Sequence, residues 1–210
     1  RSVIPALSKT RFIGGLQCHK RLFLEAYRRE LMPPVGMAQQ AFFDSGTAVG
    51  ELARGLFPGG LLIAEDHLAH DQAVERTGAA LTDESVSSMY EAAFTFDNIR
   101  TRVDLLKRLD SNVFVLGEVK SSISVKREHI PDAAIQVYVA EGSGVEIRSI
   151  YLVHIDNSYV FQGGDYDLDR LFHLEDITAK VRSYMAGSLS SDLESMRDAL
   201  AQDDVPAIDP

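Results

Sequence analysis

The chain has one cysteine, Cys18. That excludes an internal disulfide and a cysteine-rich zinc centre built from this chain alone. A lone thiol suits a reducing, cytoplasmic setting. No apolar run approaches the roughly 18 residues of a membrane span, and no signal peptide is recognisable. No membrane attachment is expected. A glycine-rich phosphate loop is also missing; Gly142-Ser143-Gly144 and Gly163-Gly164 read as turns. No serine or cysteine stands with a base in a nucleophile pattern, and the six histidines show no shared metal spacing. Internal repeats and low-complexity segments are absent. Basic residues are outnumbered, 21 against 31 acids, and the net charge of −10 argues against general adhesion to nucleic acid.

What is present is an ordinary globular composition, 45 % hydrophobic and 25 % charged over 210 residues. Charge is unevenly spread. Between Lys9 and Arg29 six basic residues face one acid, while from Asp165 onward eleven acids face four bases. The basic stretch reads as a solvated helix face or as a phosphate-facing patch. The first residue is Arg1, and the end, Ala207-Ile208-Asp209-Pro210, reads as an acidic tail. Two parts are expected: a domain over 1–165, and a helical extension over 166–210 cut from a longer protein.

Ser8 suits a helix N-cap, and the apolar spacing of Phe12, Leu16, Leu22 and Phe23 predicts helix to Tyr27, broken at Gly14-Gly15. Met32 to Gly36 reads as a loop and Met37 to Leu56 as a long helix. In that helix Gly46 and Gly50 lie one turn apart, a pattern that suggests a close neighbour. Leu61 to Ala64 is a short strand and Asp71 to Leu81 a helix. Val86–Phe94, Ile99–Leu106 and Val113–Val119 read as successive strands, the first carrying Glu91. Ile130 to Glu141 is a helix. Val145–Ile155 and Ser158–Gln162 are expected to pair about a turn at Asp156-Asn157. Asp176 to Ala201 is helical with an interruption near Gly187-Ser188. This order predicts an α/β fold with a mixed central sheet flanked by helices.

One stretch carries chemistry. In Val113-Phe114-Val115-Leu116-Gly117-Glu118-Val119-Lys120, Glu118 and Lys120 are two apart on a strand and share a face, while Val119 points to the opposite side. Asp104, on the preceding strand, reaches Glu118 if the two strands form a hairpin. Two carboxylates and an ammonium at a sheet edge suit a divalent cation and attack on a phosphodiester. Glu118 and Lys120 are expected to be partly exposed in a cleft. The plain alternative is a surface salt bridge, worth about 0–1 kcal/mol.

The helix, the three-strand meander bearing Asp104 and Glu118-x-Lys120, and the following helix with Gln136 resemble the PD-(D/E)XK nuclease superfamily. The details resemble its RecB-like branch, which includes CRISPR-associated and AddB-type exonucleases. Further segments that carry the likeness are Leu7-Ser8-Lys9-Thr10-Arg11-Phe12, Gln17-Cys18-His19-Lys20-Arg21-Leu22, Gly46 to Ala53 and Tyr90-Glu91-Ala92-Ala93-Phe94. The resemblance implies a restriction-endonuclease-like core. It also implies a Mg²⁺- or Mn²⁺-dependent nuclease, an exonuclease acting on DNA, single strands preferred. Asp104, Glu118 and the Val119 carbonyl would hold the metal. Lys120 would orient or deprotonate the attacking water, and Gln136 would touch that lysine or a substrate phosphate. Where the branch carries a histidine this chain has Gly50. Glu51 is the expected substitute, one helical position and about 100° away. Tyr138 stands two residues after Gln136 rather than four. Cys18 resembles the first ligand of an iron–sulfur cluster found in several members; one thiolate cannot hold a four-ligand cluster, so a cluster is expected only in a longer chain. The rival reading is a catalytically inactive nuclease-fold module that binds nucleic acid or a protein.

Overall fold

The structure is a computed structural model that describes residues 4–34 and 36–207. Arg1, Val35 of the expected loop and the last three residues of the acidic tail lie outside the described residues.

A mixed sheet of seven strands organises the described chain: β1 (Leu7–Ser8), β2 (Leu61–Leu62), β3 (Ser88–Phe96), β4 (Ile99–Asp110), β5 (Val113–Lys120), β6 (Glu146–Ile155) and β7 (Phe172–Asp176). Six of them run in the order β2-β3-β4-β5-β6-β7, and β1 pairs with β4. β3 to β5 form an antiparallel meander, and β5 and β6 are parallel across a helical crossover. The helices are α1 (Lys9–Gln17), α2 (His19–Tyr27), α3 (Met37–Ala53), α4 (His70–Thr82), α5 (His129–Gly142), α6 (Leu168–Leu171), α7 (Thr178–Gly187) and α8 (Leu189–Leu200). No helix among the described residues is long and apolar enough to cross a membrane.

α5 is buried almost all round, because it fills the crossover between the sheet and the outer helices. Its Ala133, Ala134, Ile135, Val137 and Val139 join Phe114, Leu116, Ile150 and Leu152 of the sheet in the main core. The opposite sheet face carries a smaller cluster of Val49, Ala53, Leu105, Val119 and Val153, under α3. Val119 thus points away from the main core, as strand parity requires.

Three expectations are corrected. Gly14-Gly15 does not break the first helix; both lie inside α1, and the break falls at Cys18, whose backbone is extended. Gly15 is there because α8 presses on it: an added Cβ would come within 2.8 Å of Met196 Sδ. Ser158 to Gln162 is not a strand, and β6 pairs instead with β7. The exposed side chains of Val160 and Phe161 gain nothing from a sheet position. Gly46 and Gly50 meet no neighbour within 4 Å among the described residues, so their face of α3 is open. From 166 onward, β7 extends the sheet, and Leu193, Met196 and Leu200 of α8 pack into the main core.

Candidate active site

The sheet forks where the candidate residues lie. The β4–β5 ladder runs from Asp110 opposite Val113 to Leu105 opposite Gly117 and then stops. Asp104 and Glu118 are the next residues on each strand. In place of a ladder bond, the Asp104 carboxylate accepts the Val119 backbone N–H at 2.8 Å. Beyond the fork, β1 takes the same edge of β4, with Leu7 opposite Ile99 and Ser8 opposite Arg100. Ser8 then caps α1 by accepting the Arg11 N–H at 3.2 Å, which delivers Lys9 into the fork.

Across β4, the β3 ladder omits Glu91 and Asp104. Glu91 has φ +58°, a left-handed conformation that only a few per cent of non-glycine residues adopt. It resets the parity of β3, so Met89 and Ala92, three residues apart, both face the main core. Glu91 itself pairs with Arg54 at 3.4 Å.

The fork gathers two lysines, three carboxylates and an amide. Glu118 is fully buried, against the expectation of a partly exposed group, because α5 lies over it. Its Oε1 receives Lys120 Nζ at 2.6 Å and Lys9 Nζ at 3.0 Å. Its Oε2 receives Gln136 Nε2 at 2.6 Å. Lys120 Nζ also binds Asp132 in a short contact, and Lys9 Nζ lies 3.9 Å from Asp132 Oδ1. Gln136 Nε2 thus donates to the glutamate and also to the Asp132 carbonyl, at 3.0 Å. Tyr138 lies away from the fork and donates to Asp97. Glu51 is exposed on α3, and no bond or ion pair joins it to the fork. Cys18 is a free, half-buried thiol between α1 and α2.

Burial would raise the Glu118 pKa, but Lys9, Lys120 and the Gln136 donor outweigh it and hold the carboxylate well below its usual range. Burial would lower both lysines; Glu118 and Asp132 outweigh it, and both are raised above the ordinary ammonium value. Asp104 is pushed up to about 7, by burial first and then by Glu118, against the pull of Lys9. Asp132 is raised by burial and by Glu118. Within the cluster, Asp132 Oδ1 and Gln136 Oε1 are buried acceptors without a donor among the described residues.

This donor set fits a hard divalent cation. Asp104 and Glu118 offer carboxylate oxygens of the kind such an ion takes, and Asp104 carries the strain of a like charge that the lysines do not fully offset. No group of three or more His, Cys, Asp or Glu is arranged to hold a metal among the described residues, so carbonyl and water oxygens would have to complete the shell. Lys9 and Asp132 are the functional candidates that sequence reasoning missed. Their signals were the N-cap at Ser8, which places the next residue at the end of β1, and the position of Asp132 one helical turn before Gln136.

No protein-family model matches the chain, and no curated protein matches it. Among solved structures, it is similar to the alkaline exonuclease LHK-Exo in complex with dAMP, with TM-score 0.50 and 13 % identity over 94 % of this chain and 90 % of that one. A structure of LHK-Exo from Laribacter hongkongensis gives TM-score 0.40 and 10 % identity over 94 % and 90 %, and SSO0001 gives 0.42 and 14 % over 89 % and 77 %. The first likeness, to the dAMP complex, shows a shared fold. That shared fold is a mixed sheet flanked by helices.

Proposed function

We propose that this chain is a metal-dependent deoxyribonuclease of the RecB-like kind, hydrolysing phosphodiester bonds exonucleolytically, with single-stranded DNA preferred. The observation that carries the reading is the fork itself. Asp104, Glu118, Lys120 and Gln136 come from two strands and a helix and meet where the β4–β5 ladder ends. Burying that many charges costs several kcal/mol per ion before pairing, so a cluster left partly unbalanced points to chemistry rather than to stability. The similar exonuclease was crystallised with dAMP, which supports DNA as the partner.

Asp104 and Glu118, with the Val119 carbonyl, would hold Mg²⁺ or Mn²⁺; the bound ion supplies Lewis acidity toward a phosphoryl oxygen. Lys120 stays protonated at neutral pH, since its pKa is raised. Its part is to donate hydrogen bonds and stabilise developing negative charge, not to act as a base. Gln136 fixes the Glu118 rotamer. The inactive-module reading draws on one observation: both Glu118 oxygens are already engaged by lysines and an amide.

The test is cleavage of end-labelled single- and double-stranded DNA with Mn²⁺. Wild type should cut, and Lys120→Ala and Asp104→Asn should each lose at least about a hundredfold in rate while remaining folded. A folded wild-type chain that binds DNA without cutting it would favour the inactive module.

A further inference from the structure

The fork holds one more lysine than the proposed chemistry uses. Lys9 comes from a separate element, α1, and its Nζ bridges both oxygens of Glu118, at 3.0 and 3.4 Å. Asp132 Oδ1 stands 3.9 Å away, buried and without a donor. Lys120 is differently placed: it is tied to Glu118 and to the other Asp132 oxygen at once. We propose that Lys9 is a resident counter-ion that occupies Glu118 until a divalent cation arrives, and that Asp132 is the carboxylate that then receives it. This rests on the nuclease reading of the same site.

The charge balance supports the exchange. Three carboxylates, Asp104, Glu118 and Asp132, face two ammoniums, Lys9 and Lys120. A cation at Asp104 and Glu118 brings positive charge against Lys9, which is repelled from Glu118. The nearest acceptor in want of a donor is Asp132 Oδ1, and a small swing of a flexible four-carbon stem reaches it. The Lys9 side chain is 27 % exposed and so has more room to shift than Glu118, which is fully buried. After the exchange Glu118 keeps Lys120 and Gln136 but sheds the ammonium that bridged both its oxygens, and Asp132 gains the bond it lacks. Lys9 therefore acts as a positioning residue that competes with the metal, and Asp132 as the group that relieves the competition.

The experiment is Mn²⁺ binding to the full chain, read by electron paramagnetic resonance of the free ion and by calorimetry, with circular dichroism to confirm folding. Lys9→Met should bind Mn²⁺ about tenfold tighter than wild type. Lys9→Gln, which keeps a donor to Glu118 without the charge, should shift in the same direction and guards against a folding failure of the Met variant. Asp132→Asn should bind about tenfold weaker, because Lys9 has nowhere else to go. In the double variant Lys9→Met/Asp132→Asn that loss should disappear. Opposite signs from two neighbours in one cluster are not what a merely structural role produces. Unchanged or weaker binding by both Lys9 variants, with wild type binding Mn²⁺, would overturn this proposal and leave the nuclease reading standing. So would an Asp132→Asn loss that persists undiminished in the double variant. A wild-type chain that binds no Mn²⁺ would overturn both.

Discussion

Glu141, near the C-terminal end of α5, meets Arg182 of α7 in a closed fork: both of its oxygens accept a guanidinium N–H at 2.7 Å, and the same guanidinium donates to the Ile147 carbonyl. Every strong acceptor there has its donor. Asp132 and Gln136, one and two turns into the same helix, lie at the fork, and one oxygen of each is buried without a hydrogen bond. Each such group costs about 1–3 kcal/mol. The first arrangement joins α7 to the crossover helix. The second carries that cost, which a cation or a ligand's donor would relieve. One helix thus carries a fully satisfied ion pair near its C-terminal end and an incompletely satisfied cluster nearer its start.

The comparison is sharpened by deleting one carboxylate or one guanidinium from each end. Glu118→Ala leaves two lysines facing a buried gap and should cost about 3–5 kcal/mol of stability. Arg182→Ala removes a bidentate pair whose side chains are about a third exposed, so solvent screening limits its cost to about 1–2 kcal/mol, with cleavage near wild type. Chemical denaturation of both variants checks the order. If Arg182→Ala proves the more damaging, the distinction between the two ends fails.

A smaller effect belongs to His129, at the start of α5. Its pKa is lowered, by burial first and then by Lys120. Its Nδ1 accepts the Lys126 N–H at 3.1 Å, which only the neutral ring can do. A depressed folded-state value means that its contribution is complete above the unfolded pKa of about 6.5 and is lost as pH falls below it. His129→Gln should therefore flatten part of the stability slope below about pH 6.5. Urea unfolding at several pH values would show an unchanged slope if His129 is not the group responsible.

Much of this was legible in the chain. Period-two parity puts Glu118 and Lys120 on one face with Val119 on the other, and the turn Asp97-Asn98, with both residues at positive φ, closes β3 onto β4. What the sequence hid is long-range. Lys9 is one basic residue among several until β1 pairs with β4 beyond the fork, a contact between residues about ninety positions apart. The burial of Glu118 depends on α5 crossing over it, which strand periodicity does not report. β7 was missed because five residues, three of them charged or histidine, carry little apolar signal, while the nearer Ser158–Gln162 has more. Glu91 looked like an ordinary strand residue, and its left-handed backbone has no signature in residue type.

The central claim is that the end of the β4–β5 ladder is a cation site built on Asp104 and Glu118. The most direct measurement is anomalous diffraction at the manganese edge from crystals of the full chain soaked in Mn²⁺. A peak is expected within bonding distance of one oxygen from each of Asp104 and Glu118, with Lys9 Nζ moved from Glu118 to Asp132. A Mn²⁺ peak elsewhere on the chain, with Lys9 still bridging Glu118 and no density at the fork, would contradict it.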